Sequence, residues 1–95
     1  MSVKPVGRVV IEKHDERDEI PASAIVQGPL KKEADGPLGE IEEWSVTFTA
    51  TSRFGDFGWR VMFTVGSEGL HVMDWERVKA PADVFVISDV SFHSA

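Results

Sequence analysis

Three histidines, sixteen carboxylates and eight serines are the side chains of this sequence that could do chemistry, and their spacing limits what they can share. His14, His71 and His93 form no close pair. Asp89 and His93 fall on one face of an expected strand but four residues apart, about 13 Å at strand spacing, so they cannot share an ion without a bend. His14 beside Asp15 and Glu16 has the composition of a charged loop. The chain has no cysteine, which removes thiolate ligands, thiol nucleophiles and disulfides. The expectation is no metal site and no cofactor.

Paired carboxylates could serve as acid and base. Glu40, Glu42 and Glu43, and Asp15, Glu16, Asp18 and Glu19, sit in segments expected to face solvent. A catalytic acid needs burial or a close like charge to raise its pKa, and nothing in these segments supplies either. Asp74 is the exception. Period-two alternation places it on a core face, where it must pair, with Arg77 or Arg8 as donors, or be neutralised. The plainer role is a strand-end carboxylate capping the next turn. The conflict itself predicts that the strand ends or bulges there. The serines lack a G-x-S-x-G elbow. Gly36-Pro37-Leu38-Gly39 and Gly66-Ser67-Glu68-Gly69 read as turns rather than phosphate cradles. No catalytic residue is assigned.

Charge limits the partners. The net charge is -6. Residues 12–43 carry ten acids against Lys13, Arg17, Lys31 and Lys32, which accounts for all of the excess. Such a field repels phosphate and anionic lipid and favours a basic partner; the plainer alternative is a solvated loop region that aids solubility. Arg60 with Trp75, and Arg53 with Phe54, could stack a nucleobase, but they make no basic stripe, so nucleic acid is not the expected partner. No apolar run follows Lys4 and no segment approaches 18 apolar residues, so neither a signal peptide nor a membrane span is expected, and the expected location is cytoplasmic.

The elements that must position these groups are strands. Trp44, Val46, Phe48 and Ala50 alternate with Ser45, Thr47, Thr49 and Thr51. Phe57, Trp59, Val61, Phe63 and Val65 alternate with Gly58, Arg60, Met62 and Thr64. Leu70 to Trp75 follows a glycine-bounded turn. A three-stranded meander over 44–75 is expected, with four-residue loops at Arg53–Asp56 and Gly66–Gly69. This register sets Ala50 against Trp59, Phe48 against Val61, and Phe63 against Val72. The opposite face then reads Thr49, Arg60, Trp75; Thr47, Met62, Met73; Ser45, Thr64, His71. Pro5 to Lys13 reads as a strand of ambiguous inward face. Residues 14–22 and 31–40 read as loops, Ala22 to Leu30 as a short strand or helical turn, and Glu76 to Ala80 as a turn of helix. Asp83 to His93 reads as a long strand, with Phe85 and Ile87 calling for cover on its second side.

One domain over 1–95 is expected, burying roughly 60–65% of its unfolded surface. Its fold class is mainly β, a small antiparallel barrel-like or two-layer domain of 5–6 strands, with α+β carrying one short helix as the alternative. The functional expectation is a non-enzymatic protein-interaction module, an acidic inhibitor, immunity-like or adaptor protein that engages a basic partner. The candidate interface is Arg60, Met62, Met73, Trp75, His71, Thr47 and Thr49 with Phe54 at the hairpin tip, because Trp and Arg concentrate binding energy and methionine adapts to irregular surfaces. The acidic patch of Asp15, Glu16, Asp18, Glu19, Glu40, Glu42 and Glu43 would steer the encounter. Cover by another segment of the chain competes with the interface reading. The alternatives are a small-ligand-binding or catalytic β-barrel and a subunit of a homo-oligomer.

Overall fold

The structure, a computed structural model, describes residues 2–36 and 39–95. Among these, seven strands form: β1 (Val3–Lys13), β2 (Glu16–Pro21), β3 (Val26–Asp35), β4 (Glu42–Ser52), β5 (Gly55–Gly66), β6 (Gly69–Lys79) and β7 (Phe85–Ser94). They make two antiparallel sheets, ordered β2-β1-β7 and β3-β4-β5-β6. The mainly-β expectation holds in its two-layer form, with more strands than the five or six read from the sequence. No described helix is long and apolar enough to cross a membrane.

The alternation in β4 and β5 sorts their side chains as expected. Phe48, Phe57, Trp59 and Val61 are buried on the inner face, against Val9, Ile11, Val90 and Phe92 of the three-stranded sheet. Phe48 and Phe92 meet across the sheets with ring centroids 4.8 Å apart. The ambiguous β1 is buried on both faces: Val9 and Ile11 join this core, and Val10 is buried outside it.

Three local expectations are corrected. Residues 14–22 and 31–40 are not mainly loop: only His14 and Asp15 turn between β1 and β2, and 31–35 lie in β3. Pro37 and Leu38 fall outside the described residues. Both strands lie on sheet edges and carry charged side chains, the usual guard against edge pairing, so neither shows an apolar period. Ala22–Ala24 is a 3-10 turn that leads into β3, so both readings of that segment hold in part. The helical turn over Glu76 to Ala80 is absent, because pairing with β5 carries β6 on to Lys79.

The meander register also differs. The first hairpin closes in a two-residue loop, Arg53–Phe54, which pairs Ser52 with Gly55, Phe48 with Trp59 and Val46 with Val61. Gly55 takes φ +131°, a conformation L side chains rarely adopt. Ser52 closes the turn through its hydroxyl, accepting from Phe54 N–H at 3.1 Å and donating to the Gly55 carbonyl at 2.8 Å. The shift is two residues, so both faces keep their members. The second hairpin pairs Val65 with Leu70 and Phe63 with Val72, as expected.

The bulge anticipated near Asp74 is present: Phe63 pairs with Val72 but Met62 pairs with Asp74, leaving Met73 as the extra residue. Beyond it the parity of β6 reverses. Asp74 is exposed on the outer face, where its Oδ1 accepts its neighbour Trp75's N–H at 2.8 Å. Trp75 turns to the inner side, opposite Val61, and meets Phe92 edge-on at 6.1 Å.

Candidate functional site

The outer face of the four-stranded sheet is open among the described residues. Its cross-strand rows are Thr47, Arg60, Glu76; Ser45, Met62, Asp74; and Glu43, Thr64, His71. The three-stranded sheet packs on the opposite face, and β3 joins β4 edge to edge, so neither the N-terminal strand nor the segment before Gly36 covers this one. Of the expected interface residues, Thr47, Thr49, Arg60, Met62, Met73 and His71 belong to it, with Met73 66% exposed at the bulge. Two do not. Trp75 has crossed to the inner side, and Phe54 packs its ring against the core cluster from the hairpin tip. The row Thr49, Arg60, Trp75 is therefore replaced by Thr47, Arg60, Glu76.

Glu33 is the residue that sequence reasoning missed. It is the extra residue where β3 bulges between Lys32 and Ala34. Its Oε1 accepts the Ser45 hydroxyl at 2.6 Å and lies 3.3 Å from the Arg60 guanidinium. The Ser45 hydrogen bond holds the Glu33 carboxyl below its ordinary value of 4.5; burial opposes the shift, and the charges of Lys31 and Arg60 reinforce it. The contact also explains why Ser45 is buried on an otherwise exposed face. No period-two rule finds Glu33, because the bulge changes where the residue points.

Between β3, β4, β5 and β6 this face dips into a depression of about 370 Å³. Met62 and Met73 supply its apolar lining, while Glu33, Glu43 and Asp74 set carboxylates around it against the guanidinium of Arg60. Arg60 already lies against Glu33, so the charge left unbalanced is negative.

The expected acidic patch is split. Glu40, Glu42 and Glu43 lie at the start of β4, and Asp15, Glu16, Asp18 and Glu19 lie on the β1–β2 hairpin, beside the far end of β4. Eleven residues of strand, roughly 35 Å, separate the two groups. Two of these acids have partners within the fold. Asp18 accepts the Arg53 backbone N–H at 2.9 Å and so ties the two sheets at one seam. Glu19 pairs with Arg8 at 2.9 Å.

Chemistry elsewhere is sparse. Ser91 Oγ lies 2.8 Å from His93 Nε2, a nucleophile–base contact of suitable length. The pair is exposed, and among the described residues no carboxylate is hydrogen-bonded to His93 to orient it. No described group of three or more His, Asp or Glu side chains is placed to hold a metal ion. No protein-family model, curated protein or solved structure matches this chain.

Proposed function

We propose that the protein is a non-enzymatic interaction module that receives a basic segment of a protein partner on the outer face of its four-stranded sheet. The observation that carries this reading is the depression at Met62 and Met73, apolar within and rimmed by carboxylates. A lysine or arginine side chain has the matching form: its aliphatic stem lies along the methionines while its charged head reaches Glu43 and Asp74. The overall charge of -6 would steer a basic partner toward the protein.

Several features favour a face over an edge. Each outer strand carries a device that discourages strand addition. Short β2 is highly charged and ends in Pro21. β3 contains Pro29 and two bulges. β6 bulges at Met73 and again at Val78. β7 is offset from β1 near Ile87. Assembly of copies through open edges, the rival reading, has to overcome all four.

The test is a titration of the protein, labelled at its methionine methyls, with a lysine-rich peptide and with a glutamate-rich peptide of equal length. The reading expects saturable, salt-sensitive shifts of Met62 and Met73 with the basic peptide only, lost in the E43Q/D74N double variant. Unmoved methionine methyls, or equal response to the acidic peptide, would overturn it.

A further inference from the structure

We infer that Met73 is a reversible oxidation site for hydroperoxides, and that its sulfoxide closes the methionine depression to a basic segment. The inference rests on the docking role proposed for that depression and adds its regulation. The chain has no cysteine, so thioethers are its only sulfur. Oxidation by peroxide, which elsewhere falls first on accessible thiolates, is left to methionine here. Met62 and Met73 both line the depression. Met1, the third methionine, lies outside the described residues.

The two methionines differ in access. Met73 is the extra residue of the β6 bulge, with no partner opposite it on β5. Strand β6 is the edge of its sheet, so among the described residues no strand of that sheet flanks Met73 on the other side. Its side chain is two-thirds exposed and takes no part in the core cluster. Met62 lies on the interior strand β5, paired with Ser45 on one side and Asp74 on the other, and is half-buried. Methionine oxidation follows access to the sulfur, so Met73 reacts first. Glu43 and Asp74 also line the depression. Their negative field repels anionic oxidants and leaves neutral hydroperoxides free to approach.

The step balances with the peroxide alone. A lone pair of Met73 Sδ takes the distal peroxide oxygen and the O–O bond breaks. The departing oxygen collects the hydroxyl proton and leaves as water or an alcohol. Sulfur gives up two electrons and the peroxide gains them. A dithiol reductant reverses the change through methionine sulfoxide reductases, leaving a disulfide and water. The product is polar where the thioether was apolar. A lysine or arginine stem laid along Met73 would cover the sulfoxide oxygen with methylenes that offer no donor, stripping its water without replacement. Since Met73 is neither in the core nor opposite a β5 residue, its oxidation alters the docking face and spares the fold.

The test treats the full chain with hydrogen peroxide, follows each methionine by peptide mass mapping, and titrates a lysine-rich peptide before and after. Met73 should be mostly oxidised before Met62 sulfoxide is detectable. Affinity for the peptide should then fall by about fivefold to tenfold, the equivalent of one or two methylenes of lost apolar contact. The urea midpoint should stay in place, and sulfoxide reductases of both epimer specificities with dithiothreitol should restore binding. Met73→Leu, whatever its own affinity, should bind equally before and after peroxide, while Met62→Leu should keep the fall. Oxidation of Met62 ahead of Met73, a fall that persists in Met73→Leu, or unfolding of the oxidised protein would overturn the inference. Peptide binding that survives the Met73 sulfoxide defeats the closure alone. No binding by the untreated protein defeats the docking role itself, and the closure with it.

Discussion

The indole N–H of Trp59 on β5 donates to the carboxylate of Asp89 on β7 at 3.3 Å, and the second oxygen of that carboxylate accepts from Arg77 on β6 at 2.8 Å. One side chain thus satisfies the polar atom of the largest fully buried residue and pins the two sheets along the seam where β6 and β7 approach without backbone pairing. Asp89→Ala should cost about 1–3 kcal/mol by leaving the indole N–H without its partner. In the Trp59→Phe background, which has no indole N–H to strand, the same substitution should cost less. Urea unfolding of the four proteins of this double-mutant cycle measures the difference.

Phe92 and Phe85 sit on the same strand and should respond oppositely to truncation. Phe92 is buried against Phe48 and Trp59, and Phe92→Ala should lower stability by about 3–5 kcal/mol. Phe85 is 70% exposed, so the cover expected for the second side of β7 is absent among the described residues. Phe85→Ala should change stability by no more than about 0.5 kcal/mol.

Trp75 tests the parity reversal at the Met73 bulge. Its ring packs edge-on against Phe92, an arrangement worth about 0.5–1.5 kcal/mol beyond the area it buries. Trp75→Ala should therefore lower the unfolding midpoint while leaving affinity for a basic peptide within about twofold, since binding at Met62 and Met73 uses the other face. Met73→Ala should do the reverse. Denaturation curves and peptide titrations on both variants separate the two effects.

Glu33 gives a pH signature. Its folded-state pKa is depressed, so its ionised form contributes stability that is fully present above the unfolded value, near 4.5, and is lost as pH falls through the lower folded value. Ser45→Ala removes the main cause of the depression. The variant should show a shallower loss of stability with acid between pH 4.5 and the folded-state value, with little change in slope at neutral pH. Equilibrium unfolding across an acid pH series reads this directly. Lys32 responds at the alkaline end: Asp35 raises its pKa, so its contribution is present below the ordinary value of 10.5 and is lost as pH rises through the folded value.

Alternation was enough to place Phe48, Trp59, Val61 and Phe63 on one side of a sheet and Thr47, Arg60 and Met62 on the other, because the pleat forces neighbouring side chains apart whatever the strand pairs with. It also carried the warning at Asp74, since a carboxylate cannot remain on a core face without a partner. The charged sequences of β2 and β3 hold no such signal; they are strands because their neighbours in the chain, β1 and β4, offer them backbone hydrogen bonds, which leave no mark on the side-chain pattern. The same holds for Trp75, whose direction depends on one extra residue in β6, and for Glu33, which reaches Ser45 through a bulge. The split of the acidic residues between two ends follows from how two sheets overlap in space. Local side-chain chemistry dictates which way a residue faces within a strand, but the neighbours it meets are settled by non-local pairing and packing, and those neighbours define the surfaces.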